Sequence, residues 1–289
     1  MDVLVSNEVV GRSKLDRLAA LARRARLGVC VDHAEGVREL QAALARAGAR
    51  IDVYIELEVG MRRCGVAPGE PALALARAIV ASPNLRFAGI QAYHGRAQHI
   101  RSIEERRAVI MKACLQVKDT KTMLKHAGIA CPVVTGAGSG TFMFEVEMGA
   151  WDEIQPGSYV FMDADYARNE WAPPMPRFDH SLFVLATVMS RPGPGAAIVD
   201  AGLKASSVDS GMPGVWGRQG LAYTHASDEH GWIEIMEGAG AAALPGLGDK
   251  LLLVPGHCDP TVNLYDWYVC VRGGVVEALW PITARGAVN

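Results

Sequence analysis

The chain has 289 residues, 50% of them hydrophobic and 21% charged, so it is long enough for one large domain or two ordinary ones. Lys and Arg number 29 against 31 Asp and Glu, and no basic stripe indicates nucleic acid or an anionic membrane as a partner. No apolar stretch approaches the roughly 20 residues of a spanning helix, and no basic and apolar leader follows Met1. We therefore expect a cytoplasmic protein whose partner is a small molecule.

The first half of the chain alternates short apolar runs with segments of helical periodicity. Apolar runs typical of strands lie at 2–6, 27–32, 52–58, 87–95, 131–136 and 153–161. Helices are predicted between them, and Ser102 with Glu105 resembles a capping box at the start of a long one. Repeated βα units of this kind imply parallel strands with right-handed crossovers. The pattern predicts six parallel strands, either in a (β/α) barrel or in a doubly wound sheet.

The pattern changes after about residue 165. Residues 167–180 are rich in proline, and alternating apolar runs follow at 181–191, 196–202, 231–236, 250–257 and 267–282. No segment of helical periodicity separates them, and the last run contains Arg-Gly-Gly and is typical of a hairpin. We therefore predict a partial barrel over residues 1–170 and an antiparallel β domain over residues 171–289.

A glycine-rich segment, TGAGSGT at 135–141, directly follows the fifth apolar run. Glycines allow the backbone to approach a phosphate closely, and a following helix presents free N–H groups. The spacing is GxGxG rather than GxGxxG, and no acidic residue in a clear βαβ partner follows it, which weakens a dinucleotide interpretation. A phosphate loop and a tight glycine turn without a ligand both remain open.

Charged side chains follow two other predicted strands. Arg62 and Arg63 come just after the third run, and His94 and His99 come at the end of the fourth. An arginine fork at a barrel mouth can bind a carboxylate or a phenolate, and a histidine there can act as acid or base near neutral pH. Surface salt bridges and ordinary hydrogen bonds are the alternatives.

The stretch PGHCDPTVNLYDWY, at 255–268, contains a candidate metal site. The H-x-D spacing at the end of a predicted strand directs alternate side chains to the same side, so His257 and Asp259 can share one ion while Cys258 faces elsewhere. Imidazole and carboxylate suit Mn²⁺, Zn²⁺ or a similar divalent ion with open positions. A polar strand end, in which Asp259 caps a turn, is the alternative.

Together these motifs resemble the D-threonine aldolase family, part of the group with the alanine-racemase type of barrel. The resemblance covers nearly the whole chain, through DVLVSNEVVG, VGMRRCGV, GIQAYHGRAQH, TGAGSGT, QPGSYVFMDADY, DAGLKA, DEHG and PGHCDPTVNLYD. The last motif is the most specific, because the aldolases resemble His-x-Asp here whereas the related D-serine dehydratases tend to His-x-Cys. The resemblance implies an alanine-racemase-type (β/α) barrel, here with six of eight strands, followed by the antiparallel β domain.

The resemblance also implies an activity. It indicates a carbon–carbon lyase that uses pyridoxal 5′-phosphate (PLP) and a divalent metal to cleave D-3-hydroxy amino acids of the D-threonine type into glycine and an aldehyde. Mn²⁺ is the expected metal, with Zn²⁺ or Mg²⁺ as alternatives, and a homodimer is the expected assembly. A dehydratase of the same fold, and an inactive remnant that binds without chemistry, are the alternative functions.

The resemblance assigns roles to the matched residues. Arg63 would contact the cofactor ring or its phenolate, His94 would remove the proton of the β-hydroxyl, and Gln155 would face the pyridine nitrogen. His257 and Asp259 would hold the metal. The remaining cofactor-binding residues would be Tyr93, Thr135, Gly136, Gly138, Ser139, Gly140, Gly157, Ser158 and Tyr159.

One part of the family pattern has no counterpart in the sequence. Enzymes of this group need a lysine that bonds covalently to PLP, which in the family lies on the first barrel strand in a stretch resembling H-x-K-T-H-K. None of the lysines matches it; they are Lys14, Lys112, Lys118, Lys121, Lys125, Lys204 and Lys250. We therefore expect that two strands and the PLP lysine belong to an N-terminal segment that this sequence lacks.

Overall fold

The computed structural model describes residues 2–239 and 244–287, and these form two compact units. The first unit comprises the described residues up to Gly157 together with Glu170–Met175. The second comprises Ser158–Asn169 and the described residues from Pro176 onward.

The division differs from the predicted boundary at residue 170, because Ser158–Asn169 bonds within the second unit. The Ala164 N–H donates to the Pro255 carbonyl at 2.9 Å. The Cys258 N–H donates to Asp163 Oδ2 at 3.0 Å. Hydrogen bonds to distant parts of the chain therefore place Ser158–Asn169 in the second unit. Changes of amino-acid composition along the sequence, on which the predicted boundary rests, do not reveal such bonds.

The first unit is built on a parallel sheet of six strands in chain order, with helices between the strands. Each neighbouring pair is parallel, and the order shows no switch point of the kind found in a doubly wound sheet. The sheet is therefore the predicted partial barrel, and its first and last strands in chain order are its outer strands. Its elements are β1 (Asp2–Glu8), α1 (Arg12–Ala22), β2 (Arg26–Val31), α2 (Ala34–Ala47), β3 (Ile51–Glu56), α3 (Glu70–Val80), β4 (Leu85–Ala92), α4 (Ile103–His126), β5 (Val133–Gly136), α5 (Phe142–Met148) and β6 (Glu153–Ile154).

The core of this unit lies between the sheet and its helices. Val37, Leu40 and Leu44 recur at spacings of three and four on α2, which places them on one face, and all three are buried. They belong to the same hydrophobic cluster as Val53 and Ile55 of β3. Because all six strands are parallel, their carboxyl ends lie at one edge of the sheet, where barrel enzymes carry their active sites.

The sixth strand is shorter than predicted. Only Glu153–Ile154 pairs with β5, whereas the apolar pattern predicts a strand over residues 153–161. Pro156 follows it, and proline has no N–H to donate to a ladder. The chain then forms a short 3₁₀ helix, Ser158–Val160.

The second unit contains a six-stranded sheet in the order β10 (Leu221–Ala226), β11 (Gly231–Ile235), β8 (Ala196–Val199), β7 (Val184–Gly193), β12 (Lys250–Val254) and β9 (Gly214–Val215). A separate two-stranded sheet is formed by β13 (Trp267–Arg272) and β14 (Val275–Pro281). All its described strand pairs are antiparallel, as predicted. The core of the larger sheet includes Val188, Val199, Ile233 and Leu253. The unit also contains the short helices α6 (Ala164–Ala167) and α7 (Cys258–Val262).

The Arg-Gly-Gly hairpin is confirmed. Gly273 and Gly274 connect β13 to β14 with φ values of 58° and 80°, which a two-residue hairpin turn requires and which glycine adopts without strain. Elsewhere, none of the helices in the described part of the chain is long and apolar enough to cross a membrane.

Candidate cofactor and metal sites

The carboxyl edge of the parallel sheet carries the residues with the most reactive side chains in the first unit. Glu8 ends β1 and Glu56 ends β3, while Asp32 follows β2. Tyr93 and His94 follow β4, the glycine-rich segment follows β5, and Gln155 follows β6. The structure therefore brings to this edge the predicted residues of the first unit that precede Pro156.

Arg63 lies between a buried carboxylate and an aromatic ring. Its Nη2 is 3.9 Å from Oε1 of Glu56, and its Cζ lies 5.7 Å from the centre of the Tyr93 ring. About half of the Arg63 side chain is exposed, so the guanidinium can also contact a ligand. An arginine held from two sides in this way is suited to bind a phenolate or carboxylate.

An acidic cluster surrounds this ion pair. Ligand atoms of Glu8, Asp32 and Cys64 lie within 4.8 Å of one another. Burial, followed by the charge of Glu8, raises the pKa of Glu56 to about 7. Burial, followed by a hydrogen bond with Glu8, raises the pKa of Cys64 to about 11, so this thiol stays protonated near neutral pH.

His94 begins a 3₁₀ helix, Gly95–His99, and its Nδ1 accepts the Ala97 N–H at 3.3 Å. Since Nδ1 accepts an N–H, the neutral ring carries its proton on Nε2. Burial lowers the pKa of His94, partly opposed by the charge of Glu58. His94 Nε2 lies against Gly60, where a Cβ would overlap it, so only glycine fits there.

The glycine-rich segment has a defined geometry. Gly136 has a φ of 154° and would place a Cβ onto the carbonyl oxygen of Ala92, so glycine is required. The Gly138 N–H has no acceptor among the described residues, whereas the Gly140 N–H donates to Gln98 Oε1 at 2.8 Å. Ser139 is buried. The Gly138 N–H therefore remains available to a ligand, while Gly140 holds the segment to Gln98.

Gln98 anchors this segment and was not predicted from the sequence. Its side chain is fully buried; Nε2 donates to Thr141 Oγ1 at 2.9 Å, and Thr141 Oγ1 donates to Glu145 Oε1 at 2.8 Å. A Cβ at Gly138 would lie 2.5 Å from Gln98 Oε1. In the sequence, Gln98 stands out only by its position between His94 and His99 at a strand end. That position does not indicate whether the amide is buried and hydrogen-bonded within the protein or exposed to water.

Thr135 and Gln155 form a hydrogen-bond network that also includes Glu153 and Gln91. Thr135 Oγ1 donates to Glu153 Oε1 at 2.8 Å and accepts from Gln155 Nε2 at 2.9 Å. Gln155 Nε2 also donates to Gln91 Oε1 at 3.1 Å, and Gln155 Oε1 accepts from Gln91 Nε2 at 3.0 Å. Both amide hydrogens of Gln155 are therefore engaged, and its predicted role at the pyridine nitrogen stays a prediction.

The other predicted cofactor residues are assigned to different units, Gly157 to the first and Ser158 and Tyr159 to the second. Gly157 is exposed, with no atom within 4 Å of the position of a Cβ. Ser158 and Tyr159 belong to the second unit, where the Tyr159 ring lies 5.3 Å from the Phe178 ring. Their roles in cofactor binding also stay predictions.

The second unit brings together the predicted metal ligands. His257 Nε2 lies 3.2 Å from Asp259 Oδ2. Two atoms bound to one ion at about 2.1 Å lie roughly 3.0 to 3.4 Å apart at octahedral and tetrahedral angles, so this spacing fits a shared divalent ion. The Asp259 side chain is 70% exposed, which leaves the other positions of such an ion open.

The predicted reason for this pairing was wrong. β12 ends at Val254, and His257 is the N-cap of α7 rather than a strand residue. The pair meets because the first turn of the helix brings Asp259 back beside the cap. Cys258 is buried, and burial raises its pKa to about 12, so it stays a neutral thiol between the two candidate ligands.

Asp209 adds a second carboxylate that was not predicted. Its Oδ2 lies 2.8 Å from His257 Nδ1, the nitrogen on the other side of the ring from Asp259. Asp259 and Asp209 together raise the pKa of His257 to about 9, and the Asp259 hydrogen bond is the largest cause. Asp209 lies in the segment DAGLKASSVDSG at 200–211, of which only the first six residues, DAGLKA, were recognised as resembling the family.

Comparisons with known proteins bear on these sites. Residues 8–165 match the model of the alanine racemase N-terminal domain, and residues 181–271 match a putative serine dehydratase domain. A D-threonine aldolase from Arthrobacter sp is 48% identical over 285 residues, which cover 99% of this chain and 74% of that protein. The chain belongs to the D-threonine aldolase family.

Two further relatives agree with membership of the D-threonine aldolase family. A 3-hydroxy-D-aspartate aldolase from Paracoccus denitrificans (strain Pd 1222) is 46% identical over 297 residues, covering 99% of this chain and 74% of that protein. The crystal structure of D-threonine aldolase from Filomicrobium marinum superposes with a TM-score of 0.96 at 50% identity, covering all of this chain and 78% of that one. These relatives are aldolases, and aldolases are lyases.

Proposed function

We propose that this protein cleaves D-3-hydroxy amino acids into glycine and an aldehyde, using PLP and a divalent metal ion. The observation that carries the proposal is the pair of His257 Nε2 and Asp259 Oδ2, 3.2 Å apart, in a member of the D-threonine aldolase family. A carboxylate stands at the second ligand position, and the thiol beside it is buried and neutral.

The residues at the carboxyl edge fit PLP. When bound, PLP supplies an electron sink for the breaking Cα–Cβ bond. Gly138 offers an N–H without an acceptor among the described residues, in a segment where glycine is required. Arg63 presents a half-exposed guanidinium beside Tyr93 for the phenolate. These features support a phosphate contact at residues 135–140 and a ring contact at Arg63.

The second unit fits the metal. When bound at His257 and Asp259, a divalent ion supplies positive charge to the β-hydroxyl of the substrate and lowers its pKa. One nitrogen and one carboxylate oxygen suit Mn²⁺, which we propose as the metal, and they also accept Zn²⁺. The exposed side of Asp259 leaves room for a substrate oxygen.

His94 is proposed to accept the hydroxyl proton. Burial lowers its pKa, so the ring is neutral near pH 7 and able to act as a base. Ala97 donates to Nδ1 at 3.3 Å, and Nε2 accepts a proton only in the tautomer whose hydrogen is on Nδ1. The reactive form therefore requires that this long contact opens.

Two other functions are kept as alternatives. The match of residues 181–271 to a putative serine dehydratase domain favours a dehydratase, in which the metal helps the β-hydroxyl to leave. The positions of the lysines favour the other alternative, a protein that binds PLP and the metal ion but catalyses no reaction. The lysines lie on α1, on α4, in the loop after β8 and at the start of β12, and none is at the carboxyl edge of β1 to β6.

The test supplies the 289-residue protein with PLP, Mn²⁺ and either D-threonine or L-threonine, and identifies the products. Glycine and acetaldehyde from the D-enantiomer alone would support the aldolase. Ammonia and a keto acid would indicate the dehydratase instead. Bound PLP and Mn²⁺ without any product, and no lysine labelled by PLP after borohydride reduction, would indicate a binding protein and overturn the proposal for this chain.

A further inference from the structure

We propose that Asp209 positions His257 so that Nε2 is the nitrogen that binds the metal ion. This inference rests on the proposed function, because it deepens the role of the His257 and Asp259 pair. Two carboxylates contact opposite nitrogens of the same imidazole: Asp209 Oδ2 lies 2.8 Å from Nδ1, and Asp259 Oδ2 lies 3.2 Å from Nε2. The two carboxylates therefore have different roles, with Asp259 beside the ion and Asp209 behind the ring.

Asp209 is held in place by its own neighbours. Ser207 Oγ donates to Oδ1 at 2.7 Å, and Ser210 Oγ donates to Oδ2 at 3.1 Å. Ser210 Oγ also lies 3.3 Å from His257 Nδ1. With both oxygens bonded, the carboxylate has little freedom to leave the ring, so it is suited to fix the orientation of His257.

The segment that carries Asp209 is also tied to the helix that carries the metal pair. The Ser207 N–H donates to Thr261 Oγ1 at 3.1 Å, and Thr261 Oγ1 donates to the His257 carbonyl at 2.8 Å. Thr261 is buried. The relative positions of Asp209 and His257 are thus set by the backbone as well as by the side-chain contact.

A carboxylate on Nδ1 has a defined chemical effect. It accepts the Nδ1 hydrogen, so the lone pair of the neutral ring lies on Nε2, and it raises the basicity of that nitrogen toward a cation. Partners of this kind typically contribute a factor of 10 to 100 to metal affinity. Asp209 is therefore a positioning residue, which acts on the ion through His257.

The experiment is a titration of the 289-residue protein with Mn²⁺ alone, following free Mn²⁺ by electron paramagnetic resonance. Asp209→Asn keeps the shape of the side chain and removes its charge, and we expect it to weaken Mn²⁺ binding about 10- to 100-fold. The matched control is Asp228→Asn, which removes an exposed carboxylate from the turn between β10 and β11 and should leave Mn²⁺ affinity unchanged.

A double-mutant cycle separates positioning from a general structural role. If Asp209 acts through His257, then Asp209→Asn should have no further effect on Mn²⁺ affinity in a His257→Ala background. Equal losses in both backgrounds, or wild-type affinity in Asp209→Asn, would overturn the inference. If Asp209→Asn does not fold, Ser210→Ala removes one of the bonds that hold the carboxylate, and an affinity loss of about two- to tenfold is expected; unchanged affinity there would count against the inference.

The same titration distinguishes this inference from the proposed function. Wild-type protein that binds no Mn²⁺, or His257→Ala and Asp259→Asn variants that bind it as tightly as wild type, would overturn the metal site itself and the inference with it. Mn²⁺ binding that is measurably weaker than wild type in both of those variants but as tight as wild type in Asp209→Asn would leave the metal site standing and overturn only the role of Asp209.

Discussion

At the scale of single residues, Glu145 is a carboxyl group that the fold of the first unit buries almost completely. Its side chain is 1% exposed, Oε1 accepts from Thr141, and Oε2 has no partner among the described residues. Burial raises its pKa from 4.5 to about 7. A group with a raised folded-state pKa contributes stability that is fully present below about pH 4.5 and is lost as the pH rises through about 7.

Glu145→Gln should therefore stabilise the protein above neutral pH. The amide keeps the shape and cannot ionise, so the loss of stability between pH 4.5 and 7 is removed, with an upper bound of roughly 3 kcal/mol at 1.36 kcal/mol per pKa unit. Urea unfolding at pH 5 and pH 8 measures this. The difference from wild type should grow with pH, whereas Glu147→Gln, on the exposed side of α5, should show no such growth. A pH-independent difference would contradict the assigned pKa.

The identity of the two candidate metal ligands could be predicted from the sequence, but their local structure and their neighbour Asp209 could not. His257 and Asp259 could be predicted from an H-x-D spacing because imidazole and carboxylate are metal ligands in any local structure. The local structure could not be predicted, because two residues separated by one other can lie near each other both in a strand and in the first turn of a helix. The role of Asp209 could not be predicted, because Asp209 lies 48 residues from His257 in sequence and the two side chains meet only in the folded chain.

At the scale of elements, the short 3₁₀ helix after β4 and the glycine-rich segment after β5 form one structural unit. Gln98 links them, since it accepts from the Gly140 N–H and donates to Thr141 Oγ1 and to the His94 carbonyl. The shape of a segment predicted to hold a phosphate therefore depends on a residue from the preceding strand end.

Gln98→Ala should weaken PLP more than pyridoxal, which has no phosphate. Loss of these buried hydrogen bonds frees the segment, and a cost of about 1 to 3 kcal/mol corresponds to roughly a 5- to 150-fold weaker PLP affinity. Quenching of tryptophan fluorescence by each ligand measures the two affinities. Gln41→Ala is the matched control, because Gln41 makes two amide hydrogen bonds to Asn84 at the amino-terminal side of the sheet. An equal loss for both ligands would rule out a role specific to the phosphate.

Elements with strong periodicity could be predicted and those without it could not. The six parallel strands and the Arg-Gly-Gly hairpin follow from apolar runs and turn residues, and the structure has them. β9 has two residues, and in β10 only Leu221 and Tyr223 are large and buried, so the alternation in each is too short to be recognised from the sequence. α6 and α7 have four and five residues, too few for a helical period to be visible.

At the scale of the whole molecule, the two units carry different parts of the proposed chemistry. The parallel unit carries Arg63, His94 and the glycine-rich segment, whereas the antiparallel unit carries the metal pair. The family could be predicted because the motifs that resemble it are spread over both units. The division of the chain at Ser158–Asn169 could not, since it depends on hydrogen bonds between residues far apart in sequence.

This separation predicts how the protein responds to metal removal. Treatment with EDTA should abolish cleavage of the D-3-hydroxy amino acid, because it removes the divalent ion that is proposed to contact the β-hydroxyl and lower its pKa. The affinity for PLP should change less than twofold, because its predicted contacts in the parallel unit include no metal ligand. Product formation and PLP fluorescence quenching, measured on the same sample, report the two effects. EDTA already saturated with Mn²⁺ is the control and should leave both unchanged. Full cleavage in the presence of free chelator would mean that the pair does not hold a catalytic ion, and the proton would then have to leave the hydroxyl with the help of His94 alone.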